Sequence, residues 1–152
     1  YHNISKLQAT NWRFVKGFTL IELLIVIAIL GILAAAVLVA INPGKRTRQA
    51  QDAKRKNDIG ALATELQAYY TAPGAGKYPS TLGVLTAEQY LKQMPKDPTS
   101  SLQYPYSING TTTEAAVWAT LAEPTGGAAP RLWCFSSTSG AAYEITTSGC
   151  TP

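Results

Sequence analysis

Polar and apolar positions are strongly segregated along this chain. Residues 1–16 are polar and basic with no apolar period, and an apolar run follows that reaches Ile41. Between Leu23 and Ile41 lie 19 residues with no charge and no proline, and one interior glycine, Gly31. Counted from Phe18 the run holds 24 residues, about 36 Å as a helix, enough to cross a hydrocarbon core of about 30 Å. One carboxylate, Glu22, sits just inside it. A charge near the bilayer centre costs on the order of 3 kcal/mol, so Glu22 reads as reserved for a partner. The plainer alternative puts it at the headgroup level of an ordinary anchor.

Asn42-Pro43-Gly44 breaks the pattern. Proline lacks a backbone donor and glycine adds freedom, which predicts either a kink or the end of one helix and the start of another. From Lys45 to about Thr71 helical spacing returns: Ile59, Leu62, Ala63, Leu66, Tyr69 and Tyr70 fall on one face. The polar part of this stretch offers i,i+4 pairs, Arg48–Asp52 and Lys54–Asp58. Its positives read as a solvated or headgroup-contacting collar, or as salt-bridge donors to neighbouring subunits. Tyr69-Tyr70 reads as core packing.

Pro73-Gly74-Ala75-Gly76 ends the helix. Beyond it, Thr86 with Gln89 three residues on predicts a capped short helix over Ala87–Lys92. Strands are predicted at Tyr104–Asn109, Ala115–Ala122, Arg131–Ser136 and Tyr143–Thr147, with Asn109-Gly110 as the hairpin signal. An antiparallel sheet of these strands would bury one face on Ile59–Tyr70. The fold class is therefore α+β: a long N-terminal transmembrane/stem α-helix with a small antiparallel β-sheet head. The expected segments are 1–17, 18–41, 42–72 and 73–152.

Charge changes this picture little. The net charge is +4, with 13 Lys/Arg against 9 Asp/Glu. Lys6, Arg13 and Lys16 precede Phe18, leaving ten positives against nine negatives after it. The balance gives no sign of a nucleic-acid-binding head, and nucleic acid is not assigned as a partner. The flank after the apolar run holds Lys45, Arg46, Arg48, Lys54, Arg55 and Lys56, more than the three before it. The positive-inside rule alone would then invert the membrane orientation adopted below. A cleaved secretory signal, with Ala34-Ala35-Ala36 as the small-residue site, is disfavoured by the length of the run and by Glu22.

No catalytic constellation is legible. The single histidine, His2, lies before the apolar run, and the acids after Pro73 are scattered. No cofactor or metal ligand is assigned, and the reading is of a non-enzyme. Cys134 and Cys150 are the only cysteines. Paired outside the cytoplasm they would close a loop of 17 residues, counted inclusively, worth about 3 kcal/mol; two free thiols are the alternative. Asn109-Gly110-Thr111 is a formal glycosylation sequon that reads better as a turn.

Lys16-Gly17 followed by Phe18-Thr19-Leu20-Ile21-Glu22-Leu23-Leu24 resembles the processing and methylation motif of type IV prepilins and type II secretion pseudopilins. The resemblance implies cleavage by a prepilin peptidase between Gly17 and Phe18, residues 1–17 being the leader, and methylation of the Phe18 amino group. It also implies that Glu22 pairs with the Phe18 ammonium of a neighbouring subunit and sets the filament's register. Met94-Pro95-Lys96-Asp97-Pro98 with Tyr104 and Tyr106 is similar to a passage of the major pseudopilins and small pilins, where the prolines stiffen the turn into the first strand.

Several expectations follow from the resemblance. The chain is a structural subunit of a type IV pilus-like filament, a homo-oligomer drawn from the bacterial inner membrane by an assembly platform and ATPase. It crosses the membrane once before joining a cell-surface or periplasm-spanning filament. The alternatives are a type II secretion pseudopilin and, from another class, a monomeric membrane-anchored binding module. Major pseudopilins commonly bind calcium in a C-terminal acidic loop, but the corresponding residues 123–130 carry one acid, Glu123. That departure, with the cysteine pair, places the chain on the pilin side. In several pilins a C-terminal disulfide loop is an exposed, adhesive surface.

Overall fold

The computed structural model describes residues 17–152; the leader expectation lies outside these residues except at Gly17. The described chain forms two units, one ending at Ile41 and one running from Asn42 to Pro152.

The first unit is helix α1, Leu20–Ile41. Its leucines and isoleucines carry helix propensity enough, and its backbone satisfies its own polar groups, which an apolar surrounding demands. None of its residues is buried within the chain. So large an exposed apolar surface marks contact with lipid or with other helices.

The second unit begins at Asn42, whose backbone takes the left-handed conformation at φ 47° and ψ 75°. Its Oδ1 accepts the Lys45 N–H at 3.3 Å. Pro43 occupies the first helical position, where its missing donor is no loss. The break is therefore a helix end followed by a capped start. Helix α2, Pro43–Thr71, buries Ile59, Leu62, Ala63 and Leu66 as its spacing predicts.

A short helix α3 occupies Gly83–Ala87 rather than Ala87–Lys92. Thr86 lies inside it, and its Oγ1 donates to the Gly83 carbonyl at 2.8 Å instead of capping. Burial decides the shift: Leu82 and Leu85, three residues apart, are 2% and 0% exposed, and a helical turn around them puts both into the core.

The sheet has strands β1 (Tyr106–Ile108), β2 (Ala115–Leu121), β3 (Arg131–Ser136) and β4 (Ala141–Thr146), in that order and antiparallel throughout. Val117 pairs with Tyr106 on one side and Phe135 on the other. Ala115, Val117, Ala119 and Phe135 join Ile59, Leu62 and Leu66 in one core with Tyr78, Leu82, Leu85 and Tyr104. The sheet and α2 are thus two layers of one fold. Tyr69 meets Tyr90 edge-on at 5.9 Å and Tyr70 lies 4.7 Å from Tyr78, ring centre to ring centre.

β2 ends one residue short of the expected Ala122, and β4 begins at Ala141 rather than Tyr143 and ends at Thr146; β1 and its hairpin depart from expectation for local reasons. β1 begins at Tyr106 because Pro105 has no N–H to give the ladder. The Asn109-Gly110 hairpin forms with a longer loop than the two-residue turn that the dipeptide favours. The Asn109 Oδ1 accepts the Thr113 and Glu114 N–H groups at 2.9 and 3.2 Å, and Thr112 takes the positive φ of 61°. The Asn109 Nδ2 donates to Thr113 and Glu114 side chains, so the sequon's amide is engaged in its own turn.

Candidate assembly site

The start of α1 carries the motif residues. Thr19 and Glu22 form a reciprocal cap: the Glu22 N–H donates to Thr19 Oγ1 at 3.2 Å, while the Thr19 N–H and Oγ1–H donate to Glu22 Oε2 at 2.8 and 2.7 Å. Both Thr19 donors fall on one carboxylate oxygen, leaving Glu22 Oε1 without a protein partner among the described residues. The cap was missed in the sequence, although Thr-x-x-Glu just before an apolar run is its standard signal. Phe18 is 87% exposed, and among the described residues nothing lies within 4 Å of where a Cβ at Gly17 would stand. Glu22 holds its own helix end, and among the described residues no side chain supplies it with a cation.

In the second unit the charges of α2 are sorted by the fold. Arg55 is the centre. Its Nε and Nη2 donate to Asp97 Oδ2 and Oδ1 at 2.6 and 3.2 Å, its Nη1 to Asp52 Oδ1 at 2.8 Å, and its Nη2 also to Thr99 Oγ1 at 2.8 Å. The Arg55 and Asp52 side chains are 7% and 6% exposed. The hydrogen bond from Arg55, reinforced by the Ser100 and Thr99 N–H groups, holds the Asp97 carboxyl well below the usual carboxylate range. Asp97 in turn keeps the Arg55 guanidinium charged, raising its pKa further. The Pro95-Lys96-Asp97-Pro98 passage is therefore structural: it carries the partner of a buried arginine. Asp52 also accepts the Ala122 and Glu123 N–H groups at 3.0 and 2.6 Å, fastening the end of β2 to α2.

Of the two expected helix pairs, Lys54–Asp58 forms at 2.6 Å. Arg48–Asp52 does not: Arg48 reaches Glu123 at 2.7 Å, and Asp52 is taken by Arg55. Lys56 lies 4.6 Å from the centre of the Trp133 ring. The expected solvated collar is thus in large part an internal set of contacts. Asp58 accepts the Tyr104 O–H as well, at 2.7 Å, and burial pushes that phenol up beyond its ordinary range.

The loop 122–130 between β2 and β3 is where the resemblance would place a calcium site. Glu123 is committed to Arg48. The carboxylate that enters the loop is Glu144 of β4, and both its oxygens are occupied. Oε2 accepts from the Thr125 N–H and Oγ1–H at 3.1 and 2.7 Å, and Oε1 accepts from the Gly126 N–H at 2.7 Å. Arg131 Nε stands 3.1 Å from Glu144 Oε1. The Thr125 hydroxyl first, with the loop N–H groups and Arg131, lowers the Glu144 carboxyl to about 2. A guanidinium already sits where a divalent ion would have to compete, and among the described residues no cluster of three or more ligating side chains exists. These residues do not fit calcium.

Cys134 and Cys150 are joined, with Cα atoms 5.7 Å apart, so the pair is a disulfide rather than two free thiols. Cys134 is fully buried in the middle of β3, and the bond ties the C-terminal segment to the centre of the sheet.

A helix with an unpartnered apolar surface, a carboxylate at its start and an α+β head organised by ion pairs define a structural, helix-anchored subunit. Comparison with known proteins agrees. The family model described as the prokaryotic N-terminal methylation motif matches residues 12–38. The type II secretion system core protein G of Pseudomonas aeruginosa is 38% identical over 112 residues, covering 63% of this chain and 75% of that protein. No solved structure matches. The chain belongs to the family of type IV prepilins and type II secretion pseudopilins.

Proposed function

We propose that this chain is a filament subunit of the pseudopilus type, serving protein secretion. In this reading a prepilin peptidase cleaves between Gly17 and Phe18 and Phe18 is N-methylated. The mature subunit waits in the inner membrane through α1, and an assembly ATPase and platform transfer it into a periplasmic filament. The observation that carries the reading is α1 itself: a wholly unpartnered apolar helix whose start matches the methylation motif and holds a single carboxylate. The likeness to core protein G supports the secretion branch.

The free Oε1 of Glu22 supports a role in register. Thr19 occupies only Oε2, so Glu22 accepts an ammonium from a neighbouring Phe18 without giving up its cap. Two charges that are each costly among apolar helices then neutralise one another, and mismatched registers leave both unpaired. A type IV pilus is the second reading, favoured by the Cys134–Cys150 loop.

Intact-mass and N-terminal analysis of membrane and filament fractions tests the proposal. It expects a chain beginning at methyl-Phe18 in both, with Glu22→Ala processed normally but absent from filaments. Retention of residues 1–17, or normal assembly of Glu22→Ala, overturns it. Loss of exported enzymes on deletion separates the secretion branch from a surface pilus.

A further inference from the structure

We infer that Lys45 and Arg46 form a binding site for the phosphate headgroups of anionic lipid, at the point where the chain leaves the bilayer. The inference rests on the membrane-anchored state proposed above. Six positives crowd the start of α2, and the fold treats them unequally. Arg48 is taken by Glu123, Lys54 by Asp58, Arg55 by Asp52 and Asp97, and Lys56 by the face of Trp133. Lys45 and Arg46 are left. Both are exposed; Arg46 donates only to the neutral Gln49 side chain, at 3.3 Å, and Lys45 has no side-chain partner among the described residues.

Among the described residues nothing favours cations at these positions. They lie in the first turn of α2, which has no acid, and there the positive end of the helix dipole opposes them. The compensating charge must come from outside, and chain connectivity says where. With its 22 residues, α1 is about 33 Å long, matched to a hydrocarbon core of about 30 Å. Ile41 therefore ends at an interface. Lys45 is four residues on, within roughly 14 Å even if the chain were fully extended, and its long side chain can reach back toward the headgroups. Both cations are thereby held near the headgroup layer, where attraction to the phosphates is only partly screened over a Debye length of roughly 8 Å. Each cation near such a surface favours anionic lipid by roughly five-fold. A carboxylate on a second copy of the chain is the competing occupant.

The test uses the full chain in phosphatidylcholine vesicles containing a minority of phosphatidylglycerol. Spin-labelled versions of each lipid report which one is held in the motionally restricted shell around the protein. The native chain is expected to prefer phosphatidylglycerol by about five-fold or more at low salt, falling toward parity at high salt. K45Q/R46Q should lose that preference, while the charge-matched K77Q/K92Q, whose lysines lie in the head, should keep it. Equal preference in native and K45Q/R46Q overturns the inference. Equal preference together with failed assembly of K45Q/R46Q overturns it in favour of the second copy. Absence of any restricted lipid, from either label, means that α1 is not inserted; it overturns the anchored state and the inference with it.

Discussion

Replacing Arg55 with methionine tests the internal charge network most directly. The substitution keeps the aliphatic stem and removes the guanidinium that serves Asp97, Asp52 and Thr99 at once. Breaking a buried ion pair from one side costs about 3–5 kcal/mol, because the other charge stays behind. Here two carboxylates stay behind, but each keeps two backbone donors: Asp52 those of Ala122 and Glu123, Asp97 those of Thr99 and Ser100. The loss should therefore fall near the lower end, about 3 kcal/mol. For a unit of this size that lowers the melting temperature by roughly 10–20 °C. Near-ultraviolet circular dichroism on the full chain in detergent, following Trp118 and Trp133, gives the measurement. Asp97→Asn, which keeps the Asp52 pair, should cost less, about 1–2 kcal/mol.

Acid supplies an internal control. The folded-state pKa of Asp97 is depressed by Arg55, so its contribution is fully present above the unfolded value of about 4 and is lost as pH falls toward the folded one. The difference between native and R55M should accordingly shrink as pH drops below about 4, where protonation of Asp97 relieves that stranded carboxylate. A shift of less than about 3 °C at neutral pH, or a gap that does not narrow in acid, would refute the network as described.

Other predictions concern separate parts of the fold. Removing the disulfide as C134S/C150S should cost about 3 kcal/mol by loop-closure entropy, read as an earlier unfolding transition than in the oxidised native chain. Because Glu144 and Arg131 already organise the loop 122–130, calcium or a chelator should leave its protease sensitivity unchanged. Glu144→Gln should increase cleavage there, and protection by calcium would contradict the assignment. Leu62→Ala, at a fully buried position of α2, should cost about 2–5 kcal/mol in chemical denaturation; a smaller effect would place that face outside the core.

Much of this protein was legible in its sequence because the signals are short-ranged. The apolar run, the break at Asn42-Pro43, the i, i+3, i+4 face from Ile59 to Leu66 and the Arg131–Ser136 strand each depend on neighbours within a turn or a pleat. The methylation motif is likewise one contiguous stretch. Where local signals failed, burial or a competing local donor had won: Leu82 and Leu85 drew α3 toward themselves, Pro105 shortened β1, and the Asn109 side chain built a longer loop than its dipeptide favours.

Apart from Lys54–Asp58, which local spacing predicts and which forms, the choice of charge partner was decided by the tertiary structure. Arg48 has an acid one helical turn away at Asp52 and takes instead Glu123, 75 residues distant; Arg55 takes Asp97, 42 residues distant. Local spacing makes such pairs possible, yet the choice depends on which side chains the register of α2 against the sheet brings together, and on the larger penalty for leaving a buried carboxylate unpaired. The same holds for the loop 122–130, where Glu144 and Arg131 come from adjacent strands that only the folded sheet aligns. By itself the sequence determined the long apolar helix, its motif and the order of elements, all properties of contiguous chain. Which charges are held inside the head, and which two are left exposed at the start of α2, followed from the packing of distant segments.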